Sequence, residues 1–353
     1  MKTPYCQSMI GTLGYGNLPL LAPPAESGKN VLQFELTEGC SHNACTFCDM
    51  YKDVLFREKT LDEFKSHVDQ VLEKVSKRDI LGRRIINLVD RVFLGMGDAF
   101  GVDNIKLFEA ALYVIDRFHA KTRRTPRRVG IYGRVPDIKK MGFHALQELA
   151  CGGTCMGTML GDPCVKNRYK GSKGGAIQVI YVGIESGSDR ILKLINKGFT
   201  AHDAYDALMN LKEVGPVKMK PSVTILTGVG GMEHSDEHIK ETIQLLNWVP
   251  HIDWVTFMAI NPSVGTPYHT WMQNEVEKGT NRPLTPREVG EQTAQIVERL
   301  RMNTTIGIFD SDVHTVIKGQ EPVCENPVSV GSVKINGRTD ARELAKIIRE
   351  KNN

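Results

Sequence analysis

What most narrows the fold of this chain is the alternation of two hydrophobic rhythms. Short runs rich in β-branched and aromatic residues lie at Val31–Thr37, Arg91–Leu94, Arg128–Tyr132, Ile177–Ile184, Met219–Leu226 and Trp254–Ile260. Each precedes a longer stretch of helical period, at Thr60–Lys77, Asp103–Phe118, Asp137–Ala150, Ala201–Val214, His234–Trp248 and Pro286–Asn303. In the first of these Leu61, Phe64, Val68, Val71, Leu72 and Val75 share one face behind a Thr60-x-x-Glu63 capping box. Strands separated by helices at this rhythm imply βαβ units and a parallel sheet. Six units without a clear seventh predict an α/β fold in the form of an open, partial (β/α)6 barrel. The barrel is expected over residues 31–303, after an irregular Gly- and Pro-containing arm at 1–30. Residues 304–353 break the rhythm and read as an extension packing on the barrel, ending in a short helix over Ala341–Lys351.

Three thiols stand within nine residues directly after the first strand, in Gly39-Cys40-Ser41-His42-Asn43-Ala44-Cys45-Thr46-Phe47-Cys48. A tight loop of cysteines at a strand end suits a thiolate-bound metal centre. The count of three is informative, because a structural zinc site and an ordinary [4Fe–4S] cluster each take four protein ligands. Three leave one iron with a position for a small molecule. A zinc site completed by His42 or Asp49 is the alternative reading of the same residues.

The spacing Cys40-x4-Cys45-x2-Cys48, with Phe47 before the last cysteine, resembles the cluster motif of the radical SAM superfamily. The first gap is one residue longer than in most members. Together with Val92-Phe93-Leu94-Gly95-Met96-Gly97-Asp98-Ala99 it is similar to a bacterial branch sharing that longer gap. The resemblance covers roughly residues 31–303 and implies a TIM-like partial barrel, a [4Fe–4S] cluster on Cys40, Cys45 and Cys48, and S-adenosylmethionine chelated to the open iron. It implies reductive cleavage of that cofactor to a carbon radical. The protein's part in such chemistry is orientation and exclusion of side reactions.

In parallel α/β folds the functional loops leave the C-terminal ends of strands, and the remaining motifs fall there. Gly95, Met96, Gly97 and Asp98 follow the second strand and resemble a glycine-rich segment whose backbone meets the cofactor's ammonium. Asp98 stands where Glu is more usual. After the fourth strand, Glu185 resembles the residue that holds the ribose hydroxyls, and Ser186 or Arg190 is in range of the methionine carboxylate. The alternative is that residues 186–189 cap the next turn. Thr227 and Gly228 after the fifth strand, and Asn261 and Pro262 after the sixth, resemble stretches that recognise adenine, with Phe47 adding an apolar contact.

One segment departs from that pattern. Residues 151–175 form a glycine-rich insertion carrying Cys151, Cys155 and Cys164, a soft-ligand set. It suits a second cluster, a zinc, or a thiophilic substrate atom such as trivalent arsenic, with Cys324 a further thiol in the tail. Transfer of a 3-amino-3-carboxypropyl group to arsenite, as in arsinothricin-type biosynthesis, is the specific expectation drawn from these thiols. The alternatives are hydrogen abstraction by a 5′-deoxyadenosyl radical from a small molecule or RNA, and a non-catalytic metal-binding or electron-transfer protein.

The bulk numbers fit an enzyme of this kind. The chain has 353 residues, within reach of a single α/β barrel, and a formal net charge of +4 that does not demand nucleic acid or an anionic membrane. A basic run, Lys121–Arg128, reads as a solvated loop before RNA contact. No apolar stretch of transmembrane length is present, and the N-terminus lacks a signal-peptide pattern. The expectation is a cytoplasmic protein acting on a small molecule, served by an electron donor such as flavodoxin or ferredoxin, with no membrane partner. In that compartment its eight cysteines stay reduced.

Overall fold

The computed structural model describes residues 31–77, 84–95, 97–151, 176–212, 219–309 and 331–351. They fall into two compact units. The first holds the described residues of 1–41, 53–181 and 210–220, the second those of 42–52, 182–209 and 221–353.

In the first unit the strands are β1 (Val31–Glu35), the short β2 (Thr37–Glu38) and β3 (Arg57–Glu58), β4 (Arg91–Gly95), β5 (Arg128–Tyr132) and the start of β6 (Val179–Glu185). β1, β4, β5 and β6 pair in that order and all in parallel, with Val31 opposite Arg91 and Tyr132 opposite Tyr181. Every residue of β1 is buried, as expected of a parallel strand covered on both faces. The helices are α1 (Leu61–Ser76), α2 (Asn104–Thr122) and α3 (Val135–Cys151). The Thr60–Glu63 capping box forms and the five residues Phe64, Val68, Val71, Leu72 and Val75 are buried. Asp103 caps α2 by accepting from the N–H groups of Ile105 and Lys106. α3 kinks at Gly142, whose φ is 72°.

The second unit continues from β6 with α4 (Asp189–Leu194), α5 (Ala201–Lys212), β7 (Lys220–Thr227), α6 (Ser235–Trp248), β8 (Trp254–Ala259), α7 (Pro267–Lys278), α8 (Pro286–Glu298), β9 (Asn303–Phe309), β10 (Gly331–Asn336) and α9 (Arg338–Lys351). Its strand order is β6-β7-β8-β9-β10, parallel from β7 to β9, with β10 antiparallel at the edge.

The expected alternation of parallel strands and helices is present, and it runs one strand further than the sequence reading. Helix α8 stops at Glu298, and Asn303–Phe309 pairs beside β8. The β-branched Thr304, Thr305, Ile306 and Ile308 favour that strand. Gly307, read as an irregularity, lies within it. In the tail, α9 buries Ala341, Leu344, Ala345 and Ile348, and Arg349 binds Glu291 at 2.9 Å and Glu298 at 2.7 Å on α8.

Two histidines, His67 half-buried and His238 fully buried, set an acid limit on this fold. His67 Nε2 accepts the backbone N–H of Glu35 at 3.1 Å, and burial, then the Lys59 charge, pushes its pKa down to about 4. Burial does the same to His238, also to about 4. Both are neutral when folded, so their contribution is complete above the ordinary histidine pKa and is lost as pH falls from about 6.5 toward 4. Stability should fall by a few kcal/mol, on the order of 2–3 per histidine, across that window. Urea midpoints measured against pH should show the slope, and His67→Gln should flatten part of it.

Candidate active site

The cysteine loop begins at a backbone constraint. Gly39 has φ 74°, and a Cβ there would stand 3.1 Å from the carbonyl oxygen of Val54. Cys40, Cys45 and Cys48 are half-buried, and none of them is in a disulfide. Among the described residues no three His, Cys, Asp or Glu side chains are gathered closely enough to hold a metal ion. The part of the loop belonging to the second unit is held by several bonds. Thr46 donates its N–H to Ile195 O at 3.0 Å and its hydroxyl to Leu194 O at 3.1 Å, and its own carbonyl accepts from Tyr268 N–H at 3.0 Å. Asn196 donates to Ala44 O at 2.9 Å, and His42 Nε2 lies 2.7 Å from Asn196 O. Phe47 packs against the buried Ile191, Ile195, Leu226, Val229, Tyr268 and Met272. The loop's shape is thus imposed by packing and backbone bonds on both sides of Cys45.

In the first unit the glycine segment after β4 lies against the start of the cysteine loop. Gly97 has φ 31°, and a Cβ on it would stand 2.1 Å from Gly39 O and 3.1 Å from Cys40 Cα. Only glycine lets the two backbones approach this closely. Gly95 closes β4, its carbonyl accepting from Leu36 N–H at 3.1 Å; Met96 lies outside the described residues. Asp98 is wholly buried, its Oδ2 accepts from the hydroxyl of Ser41, and its Oδ1 has no hydrogen-bond partner.

In the second unit Glu185 ends β6 with φ 71°, an uncommon conformation for a side chain with Cβ. Its Oε1 lies 3.2 Å from Lys197 Nζ, while Oε2 is buried without a partner. Lys197 was not singled out by the sequence. Burial lowers its pKa, but the carboxylate of Glu185 and the charges of Cys45 and Cys48 together raise it, which puts one partly buried cation in the field of two of the three motif cysteines. Its flanks, Asn196 at φ 51° and Gly198 at φ 77°, mark a tight turn that the Asn-Lys-Gly sequence signals. That the lysine faces inward was not legible.

Other expected residues are engaged within the protein. Ser186 Oγ lies 2.9 Å from His238 Nδ1 and accepts from Ser188 N–H at 3.0 Å. Ser188 caps α4, so residues 186–189 do build the turn. Arg190 is largely exposed, with Glu233 at 3.8 Å and Glu237 at 3.9 Å. Thr227 donates its hydroxyl to Met258 O at 3.2 Å, and Gly228 N–H donates to Gln292 at 2.7 Å. Asn261 keeps both amide atoms buried and unpartnered, beside the half-buried Pro262. The basic run is tied down as well: Arg124 reaches the carbonyls of Ile86, Asn87 and Val89, and Arg127 pairs with Asp90 at 3.1 Å. Cys151 is the last residue of α3, its side chain outside the description; Cys155, Cys164 and Cys324 lie outside the described residues.

The orphaned polar atoms are the right kind for a small polar cofactor. Carboxylate oxygens on Asp98 and Glu185 suit ammonium and hydroxyl donors, and a free amide on Asn261 offers the donor and acceptor that an adenine edge can pair with. Within each unit, then, the atoms are of kinds that S-adenosylmethionine can pair with, and thiolates are the ordinary ligands of iron–sulfur clusters.

A tRNA-2-methylthio-N(6)-dimethylallyladenosine synthase of Legionella pneumophila is 29% identical over 126 residues, 35% of this chain and only a quarter of that protein's length. Among solved structures, the cobalamin-dependent S-adenosylmethionine radical enzyme OxsB covers 75% of this chain and 40% of its own, at 14% identity and TM-score 0.48. A radical SAM methyltransferase from Sphaerobacter thermophilus covers 82% and 68%, at 14% identity and TM-score 0.47. The Radical SAM superfamily matches residues 34–246, from β1 to α6 and through the cysteine, glycine and Glu185 segments alike. The chain is therefore a member of the radical SAM superfamily, an enzyme whose cofactors are a [4Fe–4S] cluster and S-adenosylmethionine.

Proposed function

We propose that Cys40, Cys45 and Cys48 carry the cluster and that the enzyme cleaves S-adenosylmethionine to a carbon radical that modifies a small molecule. When bound, the cluster and cofactor supply a one-electron cleavage of a carbon–sulfur bond. The chain's residues hold and orient them. Gly95, Met96, Gly97 and Asp98 take the ammonium end and Glu185 the ribose. Lys197 adds a partly buried positive charge for the methionine carboxylate, in addition to Ser186 and Arg190, since Ser186 is already bonded to His238. Thr227, Gly228, Asn261 and Pro262 border the adenine, with Asn261 the member whose side chain is free to bond. Phe47 fixes the loop from behind through its packing.

The observation that carries this reading is the contact of Gly97 with Gly39 and Cys40, beside a buried Asp98 with an oxygen to spare. A purely structural metal site requires neither. A cytoplasmic setting and a small one-electron donor protein fit three motif thiols that are not in disulfides. Among the described residues no helix is long and apolar enough to cross a membrane. Arg124 and Arg127 of the basic run are occupied within the protein, so RNA gains no support from them. The arsenite reading rests on Cys151, Cys155 and Cys164, whose side chains are outside the description, and nothing else favours it.

Anaerobic turnover with dithionite and S-adenosylmethionine tests the proposal. Accumulation of 5′-deoxyadenosine is the expected result. Accumulation of 5′-methylthioadenosine would redirect it to aminocarboxypropyl transfer, and intact cofactor would end it.

A further inference from the structure

The turn after α4 is bonded to the cysteine loop on both sides of Cys45. Leu194 O and Ile195 O accept from Thr46, Asn196 donates to Ala44 O, and Asn196 O lies 2.7 Å from His42 Nε2. The turn is itself a helix stop of defined shape. Asn196, at φ 51°, donates its N–H to Lys193 O at 3.1 Å, and Lys197 donates its own to Leu192 O at 3.0 Å. These are the two bonds of a Schellman motif, in which the residue after the left-handed one commonly packs an apolar side chain back on the helix. Here that residue is Lys197.

The lysine is held in place. Its side chain is 13% exposed, and its Nζ lies 3.2 Å from Glu185 Oε1 and 5.8 Å from the ring centre of Phe199. A Cβ on Gly183 would stand 2.4 Å from Glu185 Oε1 and 3.3 Å from Lys197 Nζ, so the ion pair occupies the room left by a glycine of β6. Burial disfavours the protonated lysine, and the charges of Glu185, Cys45 and Cys48 outweigh that cost. Away from bulk water a fixed charge acts over several ångströms with little screening. An iron–sulfur cluster gains one negative charge when it is reduced, and nearby charge is among the determinants of its potential. A fixed cation near two of the motif cysteines therefore favours the reduced cluster.

We propose that Lys197 raises the reduction potential of the cluster, acting through space on the thiolates of Cys45 and Cys48, with Glu185 fixing its position. The inference rests on the assignment of the cluster to the motif cysteines and goes beyond it, adding a residue that binds no iron and tunes the electron-transfer step. That step balances as a simple reduction. One electron passes from the donor protein, or from dithionite, to the cluster, and Lys197 stays protonated throughout. Neutralising Lys197 makes the cluster harder to reduce; neutralising Glu185, which offsets the lysine, makes it easier.

The test is an anaerobic redox titration of the cluster-loaded protein without S-adenosylmethionine, at about pH 8 where carboxylates are ordinarily ionised. Electron paramagnetic resonance of the reduced cluster is the readout. Lys197→Met keeps the length of the side chain and Lys197→Arg keeps its charge; thermal midpoints and iron contents check folding and loading. At the midpoint potential of the original protein, Lys197→Met should show a reduced-to-oxidised ratio about tenfold lower, a shift of ~59 mV for a one-electron couple. Lys197→Arg should stay within about twofold of the original, and Glu185→Gln should raise the ratio about threefold. Shifts that follow the sign of the deleted charge are not expected of a merely loosened loop. Equal midpoints in the original and Lys197→Met, or a Lys197→Arg midpoint displaced as far as that of Lys197→Met, would overturn the proposal and leave the cluster assignment intact. Should Lys197→Met take up no iron, the Glu185→Gln shift decides: upward upholds the proposal, and none or downward overturns it. An original protein that takes up no four-iron cluster would overturn both.

Discussion

Replacing Cys45 by Ala should abolish the cluster. Anaerobically reconstituted protein is expected to carry about four irons and the variant well under one, because two thiolates do not hold a cube that normally has three or four. Cleavage of S-adenosylmethionine should fall by on the order of a thousandfold or more, since the cluster is what passes the bond-breaking electron to the cofactor. The fold should survive. The loop around Cys45 is held by the backbone bonds of Thr46 and the packing of Phe47. Circular dichroism and the urea midpoint should therefore stay near those of the unchanged protein. The same iron analysis on Cys151→Ala, Cys155→Ala and Cys164→Ala decides whether the insertion holds a second centre, with unchanged iron expected.

The second large effect is expected at Gly97. A methyl group there would stand 2.1 Å from the carbonyl oxygen of Gly39. The neighbour is backbone, so relief requires one of two loops to move, and the φ of 31° adds strain for any side chain. Gly97→Ala should cost about 2–4 kcal/mol of stability, within the range seen for overpacking plus backbone strain. Because the displaced atoms adjoin Cys40 and Asp98, cofactor affinity should fall even where the variant remains folded. A denaturation curve and a cofactor titration on the same preparation separate the two losses. Gly142→Ala is the fitting control, since a Cβ there meets nothing within 4 Å although its φ is also positive.

Much of this was legible from residue pattern, and the omissions have physical causes. Periodicity exposed the strands and helices because each parallel strand is buried on both faces, as β1 is along its whole length. It missed β9 because Gly307 interrupts the run. It also overextended helix α8, whose pattern runs on past Glu298 through Leu300 to Asn303. The cysteine and glycine segments were visible because their chemistry is local in sequence. Residues that meet only through the fold were not. Lys197 reads as an ordinary surface lysine until its ion pair with Glu185 is seen, and Asp137 reads as a helix-start acid until Asp98 is found beside it. Ser186 shows the reverse case, a motif residue whose hydroxyl proves to be committed to His238. Hydrogen-bond commitments of that kind depend on α6, some fifty residues along the chain, and no local pattern announces them.

The central claim is that protein ligands leave one iron of the cluster open for the cofactor. Electron paramagnetic resonance of the reduced, anaerobically reconstituted enzyme, recorded with and without S-adenosylmethionine, addresses it most directly. The expected result is a four-iron signal that changes shape when the cofactor chelates the open iron, with both the signal and that response lost in Cys45→Ala. A four-iron signal indifferent to the cofactor, or a protein that purifies with zinc on all its motif thiols and no iron, would contradict it.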